Sequence, residues 1–257
     1  MKISILLPTR GRRQTLLNSI KSLVDQAEHP ENLEFIMGID QDDHGLAAFL
    51  QADIADLLKP HGTACHAQIF KPLGYAQMHR YVNQLASQAT GEWLMFWNDD
   101  MIMQTKQWDL EIAKHRGEFR LLTPRDNHGG HPYAIVPIIP QDWYRLMDHI
   151  SLNAQCDAWV SHIAYMLDIF TRIPVNILHD RADLTGNNND ATYQNRVYKE
   201  GNPADPEDFG HPNQQNARVR SAYKIAWFLK KLGKETHWWD RVVAGEQEPF
   251  EKMRFSK

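Results

Sequence analysis

Asn98, Asp99 and Asp100 sit between two apolar runs in the stretch MFWNDDMIM, residues 95–103. Charge in such a setting is costly unless it is paired or bound to a metal. Two adjacent carboxylates suit a hard cation held through oxygen, and Mg²⁺ or Mn²⁺ in such a site shares its coordination with phosphates. His179 closes a second strand-like run, PVNILHD, and adds a nitrogen donor, which favours Mn²⁺ somewhat over Mg²⁺. Taken alone, an Asp-Asp pair is more often a turn or a helix cap, and a strand-end histidine more often structural. The acidic pair, however, caps a strand expected to be buried on both faces. The carboxylates are expected where that strand leaves the sheet, not buried within it.

The elements that must position these residues alternate along the first half of the chain. KISILLP, LEFIMGID, HAQIFKP and EWLMFW read as strands. RRQTLLNSIKSLVDQA, LAAFLQADIADLLKP and GYAQMHRYVNQLASQATG read as helices, the first with Leu16, Leu17, Ile20, Leu23 and Val24 at helical spacing. This alternation predicts an α/β fold with a mainly parallel central sheet and helices on both faces. Ligands in such sheets bind beyond the carboxyl ends of the strands. Pro8, Thr9 and Arg10 after strand one, Asp40 at the end of strand two and Asn98 to Asp100 after strand four should therefore share one edge. Neither G-x-G-x-x-G nor G-x-x-x-x-G-K-[ST] occurs, so the dinucleotide fingerprint and the P-loop are both missing. In the second half, FRLLTPRD, YAIVPIIP and PVNILHD read as strands. QDWYRLMDHI, CDAWVSHIAYMLDIFTR and NARVRSAYKIAWFLKKLGK read as helices, and a long polar Asn/Gly/Pro-rich tract lies before the last one.

The 257 residues suffice for one large or two small domains, and a net charge of −4 does not describe a polyanion binder as a whole. Residues 218–241 nevertheless carry a net +5, either a solvated helix face or a contact for an anionic partner. Cys65 and Cys156 lack metal-ligand spacing and suit a reducing, cytoplasmic setting. The N-terminal apolar run, closed by Pro8, is too short for a signal peptide or membrane span, and no transmembrane anchor is expected.

The order of these motifs resembles the family 2 inverting glycosyltransferases with the GT-A (nucleotide-diphospho-sugar transferase) fold, over roughly residues 1–185. The resemblance rests on ISILLPTRGR, FIMGIDQDD, PLGYAQMHRYVNQLASQATGEWLMFWNDDM, IIPQDWYRLMDHISLNAQCDAWV and VNILHD, in that order. It implies that Pro8, Thr9, Arg10 and Asp40 hold the nucleotide, with Asp40 accepting from the base imide N–H if the base is uracil. It further implies that Gly74 allows close backbone approach, that Arg80 lies near the phosphates, and that Asn98 and Asp99 contact donor or metal. Asp100 and His179 are then the metal ligands for Mn²⁺ or Mg²⁺, and Asp157 is the catalytic base. Asn98 stands where many relatives carry the first Asp, and GIDQDD lacks the usual Asp-Gly-Ser run.

The implied reaction is transfer of a sugar from a nucleotide-diphosphate donor, UDP-sugar by the resemblance, to an acceptor hydroxyl with inversion. Trp159 either stacks on an acceptor ring or lies in the core beside Val160. The loop at 185–196 either closes over the donor or is a plain connection. The acceptor is a glycan, a protein or modified DNA; basic side chains interleaved with Trp227, Trp238 and Trp239 suit nucleic-acid contact. A non-catalytic nucleotide-sugar or glycan binding module is the reading from another class. The organisation expected is one GT-A domain over 1–212, with a nucleotide-sugar half (1–103), an acceptor half (104–185) and a flexible loop (186–212), followed by a basic helical extension at 213–257.

Overall fold

The structure is a computed structural model that describes residues 1–129, 132–194 and 205–234. Trp238, Trp239 and the remainder of the expected C-terminal extension beyond 234 lie outside the described residues, as does 195–204 of the expected loop.

Strands β1 (Ile3–Thr9), β2 (Leu33–Asp40), β3 (Ala64–Phe70) and β4 (Trp93–Phe96) run parallel in the order β3-β2-β1-β4. Helices Arg13–Gln26 and Met78–Ala86 lie on the first and third crossovers. The helix expected between β2 and β3 forms from His44 to Leu58, with a wider π turn at Leu50–Ile54. β2 is buried along its whole length, which is why it reads as an unbroken apolar run and not as an alternating one. β4 splits its side chains between two cores: Leu94 and Phe96 face one cluster, Trp93 and Met95 the other.

Beyond β4 the sheet becomes mixed. β7 (Ile138–Pro140) pairs antiparallel with β4 and with β6 (Leu121–Arg125). β6 runs parallel to β8 (Phe170–His179), and the edge strand β5 (Met101–Met103) pairs antiparallel with β8. The full order is β3-β2-β1-β4-β7-β6-β8-β5. The expected parallel character therefore holds for the first half, whereas the second combines antiparallel pairings with the parallel β6–β8 pair. β5 has no counterpart among the sequence-predicted elements because three residues, MIM, carry no periodicity. Only the end of YAIVPIIP becomes a strand, whereas β8 starts ahead of PVNILHD, at Phe170.

Helix Cys156–Met166 buries Val160, Ile163 and Ala164, and helix Pro212–Lys231 packs on it through Ala222, Ile225, Ala226 and Leu229. The last helix thereby joins the same apolar cluster as the central ones. Among the described residues, no helix is long and apolar enough to cross a membrane. Both cysteines are free.

Near the start of β2, Glu34 is almost wholly buried and is satisfied by Ser4, Lys2, Thr90 and the Gly91 amide. Burial opposes its charge, but Lys2, Ser4 and Thr90 hold its pKa down at about 2. Gly91 is the residue this cluster requires: a Cβ there would lie 2.6 Å from Ser4 Oγ and 2.7 Å from Ser4 N.

Candidate functional site

β1 and β4 are neighbours, so the chain after each of them emerges at the same edge. Thr9 Oγ1 donates to Asp99 Oδ2 at 2.7 Å, the first bond between the two motifs. The short joint from Trp97 to Asp100 connects β4 to β5, and the β5–β8 pairing sets Met101 opposite His179. Asp100 and His179 are brought together by that register.

The carboxylates sit just past the end of β4, where the strand leaves the sheet, yet both are buried: Asp99 and Asp100 are each 5% exposed. Their burial is tolerated because Arg12, itself buried, donates from Nη1 to Asp99 Oδ1 at 2.9 Å and to Asp100 Oδ2 at 3.1 Å. Burial and the adjacent Asp100 charge push the Asp99 carboxyl up to about 6. Burial acts on Asp100 in the same sense, but His179 and Arg12 outweigh it and hold that carboxyl below its ordinary value. Arg12 stays firmly charged: burial opposes its charge, but Asp190, Asp99 and Asp100 together outweigh that cost.

Among the described residues no group of three or more His, Cys, Asp or Glu side chains forms a ready metal cage. The donors that do converge fit a divalent cation completed by substrate. Both Asp99 oxygens are engaged, by Thr9 and Arg12. Asp100 Oδ1 is buried, lacks a well-aligned hydrogen bond and has as its ion-pair partner His179 Nε2 at 3.2 Å. Two neighbouring ligands of an octahedral ion, each roughly 2.1 Å from it, stand about 3.0 Å apart. Asp100 and His179 are thus spaced to suit two donors of one Mn²⁺ or Mg²⁺ ion.

These residues line a cavity of about 1010 Å³ that gathers almost all the sequence-predicted positions: Pro8, Thr9, Arg10, Asp40, Gly74, Arg80, Asn98, Asp99, Asp100, Asp157 and His179. In its wall, Arg10 binds Asp40 at 2.6 Å and Asp42 through two bonds, and Tyr81 donates to the other oxygen of Asp40. A carboxylate offers about four lone-pair sites, so Asp40 keeps acceptor capacity for a base N–H. Burial and Asp40 push the Tyr81 phenol up to about 12, so it remains a donor there. Gly74 has φ of +76°, a backbone most side chains avoid, and its missing Cβ meets nothing within 4 Å. The exposed Asn98 shapes the joint through its carbonyl, which accepts from the Met101 amide. Asp157, also on the cavity wall, lies in the first turn of helix Cys156–Met166, half-buried, with Oδ1 accepting from the Ala158 amide.

Trp159 is the exception. It is fully buried, absent from the cavity wall and covered by the Arg218 guanidinium 5.4 Å from its ring. Helix Cys156–Met166 is apolar nearly all round, so a tryptophan two residues past Asp157 turns into the core, and stacking on an acceptor is corrected to packing. Arg12, Tyr81 and Asp190 are the participants that sequence reasoning missed. Arg12 carried a legible signal: it lies at the same sheet edge as a buried acidic pair that needs a cation.

The sheet order, the flanking helices and the cleft at the strand ends define a GT-A fold. Solved structures with this fold include TarS from S. aureus in complex with UDP-GlcNAc (TM-score 0.56, 13% identity, 88% of this chain and 66% of that one). Another is the mannosyltransferase PcManGT from Pyrobaculum calidifontis in complex with GDP-Man and Mn²⁺ (TM-score 0.55, 9% identity, 98% and 82%). Residues 1–349 of TarS without ligand match at a TM-score of 0.53, with 12% identity over 86% and 81%. The match to the UDP complex of TarS spans 59% of that chain, less than two thirds of its length. At these identities the likeness concerns the fold. No protein-family model matches the chain, and no curated protein matches its sequence.

Proposed function

We propose that the protein is a metal-dependent, inverting glycosyltransferase of the family 2 type, which moves a sugar from a nucleoside-diphosphate donor, UDP-sugar in the first instance, to an acceptor hydroxyl. One observation carries the reading: the Asp100–His179 pair, the Asp157 carboxylate, Asp40 and Arg10 all line one cavity. In this reading Asp40, Arg10, Pro8 and Thr9 bind the nucleoside, and Arg80 lies near the phosphates. Asp100 and His179 hold Mn²⁺ or Mg²⁺, which when bound supplies positive charge against the leaving diphosphate. Asp99 is locked by Thr9 and Arg12 and keeps Asp100 in place. Asp157 takes the acceptor proton as the new bond to the anomeric carbon forms; the bond to the diphosphate breaks with its electron pair leaving on phosphate. Attack opposite the leaving group inverts that carbon. A pure binding module has no use for a carboxylate in the place of Asp157, which weighs against the non-catalytic alternative.

Calorimetric titration with a panel of UDP-, GDP- and other nucleotide-sugars, with and without Mn²⁺, tests the reading. Binding of one donor in Mn²⁺, lost in Asp100→Ala with the fold retained, is expected. Undiminished binding by Asp100→Ala or in excess chelator removes the metal assignment.

The last helix favours a second reading for the acceptor. Trp227 is 53% exposed, with Lys231 Nζ 3.5 Å from its ring centroid, and Lys224 and Tyr223 share the same shallow groove. Aromatic faces beside lysines suit an anionic polymer, modified DNA included. Retention on DNA that falls steeply with salt supports this reading, and retention indifferent to salt rejects it.

A further inference from the structure

Arg12 uses only one corner of its guanidinium on the acidic pair. The other edge, Nε and Nη2, is taken by Asp190 in a two-pronged pair at 2.6 and 2.9 Å. The Arg12 side chain is 8% exposed, whereas that of Asp190 is 38% exposed, so the carboxylate approaches from the solvent side. Asp190 arrives on a segment docked beside the metal edge: Thr185 and Asn187 bond to Asp180 Oδ1, and Asn188 bonds to its carbonyl. Asp180 in turn follows His179 and donates its amide to the Asp100 carbonyl at 2.8 Å. Arg12, Ala191 and Tyr193 all contribute to the wall of the main cavity.

A carboxylate that grips a guanidinium by two parallel bonds reproduces what a phosphate does at the same edge. Building on the proposed transferase reading, we infer that Arg12 is a diphosphate-binding residue and that Asp190 is its place-holder, which the donor's phosphate oxygens displace. Nη1 stays on Asp99 and Asp100 throughout, so the fork is already oriented when the donor arrives. The apparent affinity for donor is lowered by the fraction of molecules in which Asp190 holds the fork. Asp190 belongs to this chain, so the competition is internal and independent of protein concentration.

The experiment is titration of the full chain with UDP and with GDP in Mn²⁺ buffer. Asp190→Asn keeps the side-chain oxygen that caps Tyr193 at 2.8 Å and removes the competing charge. It is expected to bind nucleoside diphosphate about threefold to tenfold more tightly than wild type. Arg12→Lys keeps the charge but loses the fork and is expected to bind about tenfold or more weakly. Unchanged or weakened binding in Asp190→Asn overturns the place-holder, whether or not the arginine variant folds. Tightening in Asp190→Asn with unaltered affinity in folded Arg12→Lys overturns the forked contact. If wild type binds neither nucleotide, nor any other nucleoside diphosphate, the transferase reading falls first and this inference with it.

Discussion

Asp99→Asn is the substitution whose effect is most directly calculable. The Asp99 carboxyl is raised from 3.8 to about 6 by burial and by Asp100, against the pull of Arg12 and Thr9. A tenfold change in a protonation equilibrium is about 1.4 kcal/mol, so ionising Asp99 in the folded protein costs roughly 3 kcal/mol more than in the unfolded chain. The sign follows from proton counts. Between about pH 4 and pH 6 the folded state holds this proton and the unfolded state has released it, so stability falls as pH rises. The contribution is complete below the unfolded value and gone above about 6. Asparagine has no such titration. It keeps one oxygen to accept from Thr9 or Arg12, and its amide hydrogens lose an acceptor, a penalty that does not vary with pH. The stability of Asp99→Asn relative to wild type should therefore rise by about 1–3 kcal/mol between pH 4 and pH 7 in metal-free protein. For a chain of this size that corresponds to a gain of roughly 2–10 °C in Tm relative to wild type over the same interval. Urea unfolding in excess chelator, followed by tryptophan fluorescence at several pH values, measures it. Parallel curves for the two proteins refute this account, because they mean that Asp99 is not the carboxyl that retains the proton.

Two further outcomes are expected elsewhere in the molecule. Asp157→Asn should retain donor binding while losing turnover; a variant that still turns over in a donor-consumption assay assigns the base to another group. Gly91→Ala should lower stability by about 2 kcal/mol or more, because backbone and Ser4 must separate to admit the methyl group; an unchanged denaturation midpoint removes that reasoning.

The first half of the fold was legible because its strands and helices have clear periods, and because strand ends in a parallel sheet share an edge whatever the loops do. That logic brought Thr9, Asp40 and Asp99 to one place without any knowledge of their side chains. It failed where periodicity is silent. MIM is too short to announce an edge strand, yet β5 is what turns Asp100 toward His179. Trp159 could not be assigned to core or cleft because its helix has almost no polar face. The run RGRR offers three arginines at one edge, and only the packed structure separates Arg10, which goes to Asp40 and Asp42, from Arg12, which goes to the acidic pair. Asp190 lies in a polar tract where composition distinguishes no residue from its neighbours. The burial of the acidic pair past the strand end was not legible for a related reason: a sequence shows the cost of burying charge but not the cation that offsets it.

The joint at Trp97–Asp100 also bears on how the molecule comes together. It leaves a strand at the middle of the sheet and enters one at its far edge, whose partner β8 lies much later in the chain. Contacts that distant in sequence close late, since a long loop must be ordered before they return any stabilisation. The Arg10–Asp40 pair joins the ends of two early parallel strands, but the Asp100–His179 pair cannot exist until β5 has met β8. An immature chain can therefore carry the first pair without the second. A ligand that engages both pairs accordingly selects the finished protein over its precursors.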